Sequence, residues 1–238
     1  MTRWSDGPPP AAALFDALGT LVELEPPWPR LIETLRGRHG IDVDWDEAKR
    51  AVLAEMAYYK EHHDEGADRA SLSELRTRCA GVLVGELPAL AGLPIADVTE
   101  LLLESLRFAQ YPDVPGVLAD LRRLGLKLAI VSNWDCSLPE TLADLGLTGL
   151  VDAVVVSAEV GARKPSPAIF EAALSRLGVE PAAALFVGDS PETDVAGARA
   201  AGIRPLLLDR NGLLADNENV ERIFTLADLP SLVAARLA

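Results

Sequence analysis

Short apolar runs, most of them closing on a polar residue or glycine, alternate along much of the chain with stretches whose apolar positions recur every three or four residues. The runs are Ala11 to Phe15, Lys127 to Val131, Ala153 to Val156, Ala184 to Val187 and Arg204 to Leu208. Length alone does not separate strand from helix at the first run, but the three prolines ahead of it and Gly19 behind it favour a buried strand. Between the runs, Val117, Leu118, Leu121 and Leu124 stand at helical spacing, with Pro115 to open the segment and Gly125 to close it. Ser137 and Glu140 have the spacing of a capping box ahead of Leu142 and Leu145. Ser166-Pro167 opens a further helix whose face is Ile169, Phe170, Ala173, Leu174 and Leu177, stopped by Gly178. The alternation predicts βαβ units and a parallel sheet covered on both faces, an α/β fold. Ligands of such sheets bind beyond the carboxyl ends of the strands, where this chain carries Asp16, Ser132, Asn133, Gly188 and Asp189.

The alternation stops between about Glu23 and Gln110. Glu25-Pro26-Pro27-Trp28-Pro29 is a stiff exit, and Tyr111-Pro112-Asp113-Val114-Pro115 a similar return. Between them the pattern is helical throughout. Ala48, Val52, Leu53, Met56 and Tyr59 predict one stripe; Ser71 with Glu74 predicts the cap of a helix carrying Leu75, Cys79 and Val82; Ile95 to Leu106 predicts another. The expected organisation is a discontinuous core, residues 1–22 and 110–238, interrupted by an all-helical subdomain at 23–109. An apolar stripe there fits burial within the subdomain or against a partner, so both a monomer and an oligomer are compatible with it.

Composition narrows the function classes. The chain has 238 residues, 49% hydrophobic and 24% charged, enough for a core with one insertion. A formal charge of −14 sets the overall field against nucleic acid as the main partner, while leaving room for a local positive pocket that takes a small anion. No apolar stretch reaches membrane-spanning length. Met1 to Pro10, with three consecutive prolines and no apolar signal region, reads as a loose tail. Cys79 and Cys136 provide neither a disulfide framework nor a metal spacing and are expected as reduced thiols in a cytoplasmic protein.

The candidate chemistry lies at the strand ends. Asp16 stands in Asp-Ala-Leu-Gly-Thr; alone it fits a loop carboxylate, but a hydroxyl at Thr20 and a tight glycine turn are what an attacking carboxylate needs in order to be held. Asp189, with Asp194 five residues on, fits helix capping or, with Asp16 nearby, a repelling carboxylate group that a divalent cation would relieve; an all-oxygen set suits magnesium. Lys164 is one of four lysines against eighteen arginines. It is either a surface charge or the compact cation that neutralises a phosphoryl oxygen and orients a carboxylate. Ser132-Asn133 either makes the turn out of its strand or binds an oxyanion. His62 and His63 are adjacent, which lacks the i, i+4 spacing of a helical zinc pair, and no zinc site is expected.

The order of these motifs resembles the haloacid dehalogenase superfamily: an Asp after the first strand, Ser/Thr after the second, Lys-Pro in a loop, then Gly-Asp and a second Asp. The resemblance spans nearly the whole chain. It implies a Rossmann-like core with a helical cap between the first two motifs, similar to the subfamily of phosphoglycolate phosphatase and the 2-haloacid dehalogenases. It further implies that Asp16 attacks the substrate and forms a covalent intermediate. Thr20 and Ser132 would then hold the transferring group and Lys164 would steady the nucleophile, with Ser132, Asn133 and Lys164 contacting the substrate. Asp16, Asp189, Asp194 and the backbone carbonyl of Leu18 would surround Mg2+. The implied substrate is a small anion in the cleft between core and cap, whose closure excludes water.

Leu18 departs from this pattern. Phosphatases of the family carry a second Asp there, which protonates the leaving group and activates water; losing such a group forfeits roughly 10² to 10⁴ in rate. Three chemistries follow. In dehalogenases halide leaves without a proton, but they lack the Gly-Asp motif that is intact at Gly188-Asp189, and their aromatic hydroxyl six residues after the lysine is Phe170 here. An activated phosphate or phosphonate is the second option; phosphonatases use a cap lysine, and Lys49 and Lys60 are the only ones available. The third is a weakly catalytic or non-catalytic relative that keeps its metal site as a binding module.

Overall fold

The computed structural model describes residues 8–214 and 220–237. The first seven residues of the proline-rich N-terminal segment lie outside it. Two compact units divide the chain: Met1–Glu23 with Gln110–Ala238, and Leu24–Ala109.

The chain runs through β1 (Ala12–Phe15), a tight turn and β2 (Val22–Leu24) into helices α1 (Trp28–Thr34), α2 (Trp45–His62), α3 (Arg69–Glu86) and α4 (Ile95–Ser105). It returns along β3 (Phe108–Gln110), which pairs with β2 as a two-stranded sheet. Then follow α5 (Val114–Arg123), β4 (Lys127–Ser132), α6 (Leu138–Asp144), β5 (Ala153–Val156), α7 (Ser157–Val160) and α8 (Pro167–Leu177). The last elements are β6 (Ala184–Gly188), α9 (Ala196–Ala200), β7 (Arg204–Leu208), β8 (Glu221–Ile223) and α10 (Leu229–Leu237).

Six strands form one parallel sheet in the order β5-β4-β1-β6-β7-β8, the Rossmann-like α/β architecture. β1 sits inside it, pairing Phe15 with Ile130 on one side and with Val187 on the other. All four of its residues are buried, as a parallel strand covered on both faces requires. One of those faces packs Ala12, Leu14, Val131 and Phe186 against Ile169, Phe170, Ala173 and Leu174 of α8. The sequence pattern does not announce β8, because Glu221-Arg222-Ile223 is too short and too polar to register as an apolar run.

Three local expectations are corrected. The cap of α3 is Asp68, whose carboxylate accepts from the amides of Ala70 and Ser71, both at 2.9 Å; Ser71 is the third helical residue and closes the box from inside. Ser137 makes no side-chain cap on α6, since its backbone is already helical (φ −86°, ψ −8°) and its hydroxyl cannot reach forward. The buried face of α2 is Ala48, Ala51, Val52 and Glu55, and Leu53 is exposed; large residues spread around this helix, and the small ones mark its packed side. No helix among the described residues is long and apolar enough to cross a membrane.

Candidate active site

The turn after β1 places the first group. Asp16 donates its amide to the Val187 carbonyl at 2.9 Å, continuing the pairing of β1 with β6 one residue beyond the strand. The amides of Thr20, Leu21 and Val22 all fold back on the Ala17 carbonyl, at 3.3, 2.8 and 2.9 Å, winding residues 17–22 tightly. Gly19 makes this possible with φ +85°, and Leu18 stands out from the turn at 41% exposure.

Lys164 supplies the centre. Its ammonium, buried with the rest of the residue, donates to Asp16 Oδ1 at 2.5 Å and to Asp194 Oδ1 at 2.7 Å. The Asn133 side chain holds the backbone of Lys164: its Oδ1 accepts from the Lys164 amide at 2.7 Å and its Nδ2 donates to the Lys164 carbonyl at 3.0 Å. Ser132 Oγ, at the end of β4, donates to Asp16 Oδ1 at a long 3.4 Å.

Beyond β6 the chain makes a wide π-type turn, Pro191–Val195, which returns Asp194 to the strand end. Asp194 Oδ2 accepts from the Ser190 amide at 3.0 Å. Two glycines leave space for the two carboxylates. A Cβ on Gly188 would lie 2.3 Å from Asp194 Oδ2, and one on Gly19 would lie 2.1 Å from Asp189 Oδ2.

Asp16, Asp189 and Asp194 each offer a carboxylate oxygen within 4.8 Å of the others, the only such group among the described residues. When all three are ionised, three carboxylates against one ammonium leave two negative charges, with Asp16 and Asp194 buried and Asp189 half-buried. Burial pushes the Asp16 carboxyl up to about 7; Lys164 pulls it back, and Asp194 and Asp189 push it further. Asp189 is pushed up to about 6 by burial and by Asp194, against Lys164. Burial lowers the Lys164 ammonium, but the two carboxylates outweigh that and hold it above its ordinary value. An all-oxygen set with a surplus of two charges is what a hard divalent cation fits.

The geometry therefore gathers Asp16, Ser132, Lys164, Asp189 and Asp194. Thr20 lies in the same turn as Asp16, its hydroxyl fully buried and without a hydrogen-bond partner. Asn133 gives both ends of its amide to the Lys164 peptide. In the helical unit, Lys49 Nζ lies 5.5 Å above the Trp28 ring, and His62 bonds Glu65 at 2.7 Å and stacks on Tyr58. Phe170 is fully buried, with its ring 5.0 Å from Phe186.

A second polar group went unread in the sequence. Arg210, two residues past β7, grips both Asp113 oxygens at 3.0 and 3.1 Å and donates to the Thr20 carbonyl at 2.9 Å. The signal for it was its place: it follows Asp209, which ends the fifth apolar run, at the same sheet edge as the other polar residues.

Residues 10–202 match the family of haloacid dehalogenase-like hydrolases. The chain belongs to that family. A phosphoserine phosphatase of Thermus thermophilus is 39% identical over 133 residues, 56% of this haloacid dehalogenase-like hydrolase and 53% of the relative, so the match spans about half of that protein's length. The crystal structure of a HAD phosphatase from Thermococcus onnurineus superposes with a TM-score of 0.64 at 30% identity, covering 93% of this chain and 97% of that one. A 2-haloacid dehalogenase structure from Pseudomonas syringae pv. Tomato DC3000 gives a TM-score of 0.65 at 26% identity, covering 96% and 100%.

Proposed function

We propose that this haloacid dehalogenase-like hydrolase is a magnesium-dependent phosphatase, cleaving a small anionic phosphate-type ester through an aspartyl-enzyme intermediate on Asp16. The observation that carries the reading is the buried Lys164 ammonium shared by Asp16 and Asp194, with Asp189 within metal-sharing distance of both. Asp16, Asp189, Asp194 and the Leu18 carbonyl would hold the magnesium ion. When bound, it would neutralise the surplus carboxylate charge and the phosphoryl oxygens.

The chain's own residues supply the remainder. Asp16 must be ionised to attack, which burial opposes and Lys164 favours. One Asp16 oxygen forms the bond to phosphorus as the ester bond breaks and the leaving group takes the electron pair. Lys164 and Ser132 offer donors to charge on the transferring group, and the buried, unpartnered Thr20 hydroxyl adds another. Water then attacks phosphorus and frees Asp16. Leu18 can give no proton in the first step and take none in the second. The reading therefore favours substrates whose leaving group departs as a stable anion, such as acyl or aryl phosphates.

Leu18 and the likeness to the Pseudomonas dehalogenase favour a second reading, displacement of halide from a 2-haloacid by Asp16. Asp189 weighs against it, because a third carboxylate adds charge that halide displacement does not need.

A single screen separates the two. Wild type, Asp16→Asn and Leu18→Asp are assayed with magnesium on p-nitrophenyl phosphate, acetyl phosphate and a panel of alkyl phosphates. The expected result is magnesium-dependent phosphate release, fastest on the first two and absent in Asp16→Asn. Leu18→Asp should raise rates on alkyl phosphates by on the order of 10²-fold. Phosphate release from no ester, with Asp16→Asn at the same baseline, would sink the phosphatase reading. Chloride release from 2-chloropropionate without metal would establish the alternative, and magnesium binding with neither activity would mark a binding module.

A further inference from the structure

We infer that Arg210 is a positioning residue for the Asp16 turn, acting through the backbone carbonyl of Thr20; its catalytic consequence rests on the reading of Asp16 as nucleophile. The Arg210 side chain is only 15% exposed, and its guanidinium makes three directed bonds: Nη1 to Asp113 Oδ2 at 3.1 Å, and Nη2 to Asp113 Oδ1 at 3.0 Å and the Thr20 carbonyl at 2.9 Å. It lies 3.9 Å from the centre of the Tyr111 ring. Asp113 is itself anchored by the Thr225 hydroxyl at 2.9 Å and the Leu226 amide at 3.0 Å. Burial would raise its carboxyl, but the bonds from Arg210 and Thr225 outweigh that and hold it below the usual range.

Two consecutive carbonyls of the turn are held by this group. Arg210 takes that of Thr20, and the Tyr111 amide takes that of Leu21 at 3.1 Å. Since Arg210 also stacks on Tyr111, the two act as one clamp on the C-terminal half of the turn. The N-terminal half is fixed by the pairing of Asp16 with Val187. Between them lies Gly19, whose φ of +85° shows how far this backbone departs from an extended path. Without the clamp, the Thr20–Leu21 peptide keeps only the bond of its Leu21 amide to the Ala17 carbonyl at 2.8 Å, so its carbonyl end can tilt and disturb the buried Thr20 hydroxyl and, through Gly19, the space beneath Asp189. A displacement of about 1 Å in a reacting group costs on the order of 10²-fold in rate. Lysine cannot replace this arginine, because an ammonium offers neither the fork for Asp113 nor a flat face for Tyr111.

The test compares wild type, Arg210→Met, Arg210→Lys, Arg210→Ala and Thr225→Val by two measurements. The first is kcat and KM for p-nitrophenyl phosphate with magnesium, with methylguanidinium added to Arg210→Ala for chemical rescue. The second is hydrogen exchange of the amides in residues 17–22, with those of β4 as internal reference. Expected are a kcat roughly 10- to 100-fold lower in Arg210→Met and Arg210→Lys with KM within about threefold, partial recovery of kcat by methylguanidinium, and exchange at 17–22 faster by at least about tenfold while β4 stays protected. Thr225→Val, which loosens only the outer bond to Asp113, should change little. Unchanged exchange at 17–22 in both folded variants overturns the proposal, as does a lowered melting temperature with kcat intact. Should Arg210→Met fail to fold, Arg210→Lys and Asp113→Asn carry the same comparison. If wild type releases no phosphate, the phosphatase reading falls, and the exchange comparison alone decides the role of Arg210.

Discussion

A Cβ at Gly19 would lie 2.1 Å from Asp189 Oδ2, inside any permissible contact, so the smallest side chain there displaces a carboxylate. Gly19→Ala should therefore act at two levels. The left-handed backbone imposes a strain of roughly 1–2 kcal/mol on any residue with a Cβ, readable by urea denaturation. Displacement of Asp189 should weaken magnesium binding on the order of tenfold or more, readable by calorimetry. Gly40→Ala separates the two effects: its φ is also positive, at +64°, but nothing lies within 4 Å, so it should show strain without any change in metal affinity. Equal metal affinities in the two variants would refute the packing argument.

Among the elements, the link between β4 and the loop ahead of α8 depends on one amide. Asn133 bonds the Lys164 peptide on both sides, so it works as a short piece of sheet between two loops. Asn133→Ala should lower stability by about 1–3 kcal/mol and reduce kcat more than it raises KM, because Lys164 loses its backbone anchor while the substrate loses nothing it touched. A rise in KM alone would instead mark Asn133 as a direct substrate contact. Here the limits of sequence reading are concrete. The face of α8 was legible in full, because Ile169, Phe170, Ala173, Leu174 and Leu177 are buried as their spacing requires. The face of α2 was not, since its packed side is made partly of alanines and a buried Glu55, which carry little hydrophobic signal. Asp16, Lys164 and Asp189 stood out because each follows an apolar run or breaks a compositional habit. Asn133 also stood out, but its partners are backbone atoms 31 residues away, and periodicity holds no information about those. Arg210 was hidden for a related reason: it is one of eighteen arginines, and its partners come from two distant parts of the chain, Thr20 and the stretch holding Tyr111 and Asp113.

At the scale of the molecule, a chain of net charge −14 keeps the buried carboxylates of Asp16 and Asp194 and the half-buried one of Asp189 beside one ammonium. The folded protein holds protons on Asp16 and Asp189 at pH values where the unfolded chain, with carboxylates near 3.8, has released them. More protons are then bound in the native state, so the stability of metal-free protein should fall as pH rises from about 4 to about 7. A cation needs those same groups ionised, so stabilisation by magnesium should grow across that window and level off above it. Thermal melts at pH 5, 6, 7 and 8, with magnesium and with EDTA, check both trends; a magnesium shift as large at pH 5 as at pH 8 would contradict them.

The central place of β1 also governs the order in which the molecule can be completed. Asp16 precedes every group that holds it: Ser132 lies 116 residues on and Lys164 148 residues on, and β6 must follow to close the other edge of β1. Until β4 is made β1 has two open edges, and until β6 is made it keeps one. Contacts of such long range slow folding and leave apolar strand exposed meanwhile. β1 thus precedes the other strands of its sheet and waits for β6 to close its second edge, so the carboxylate cluster cannot be complete on a nascent chain that stops short of Asp194.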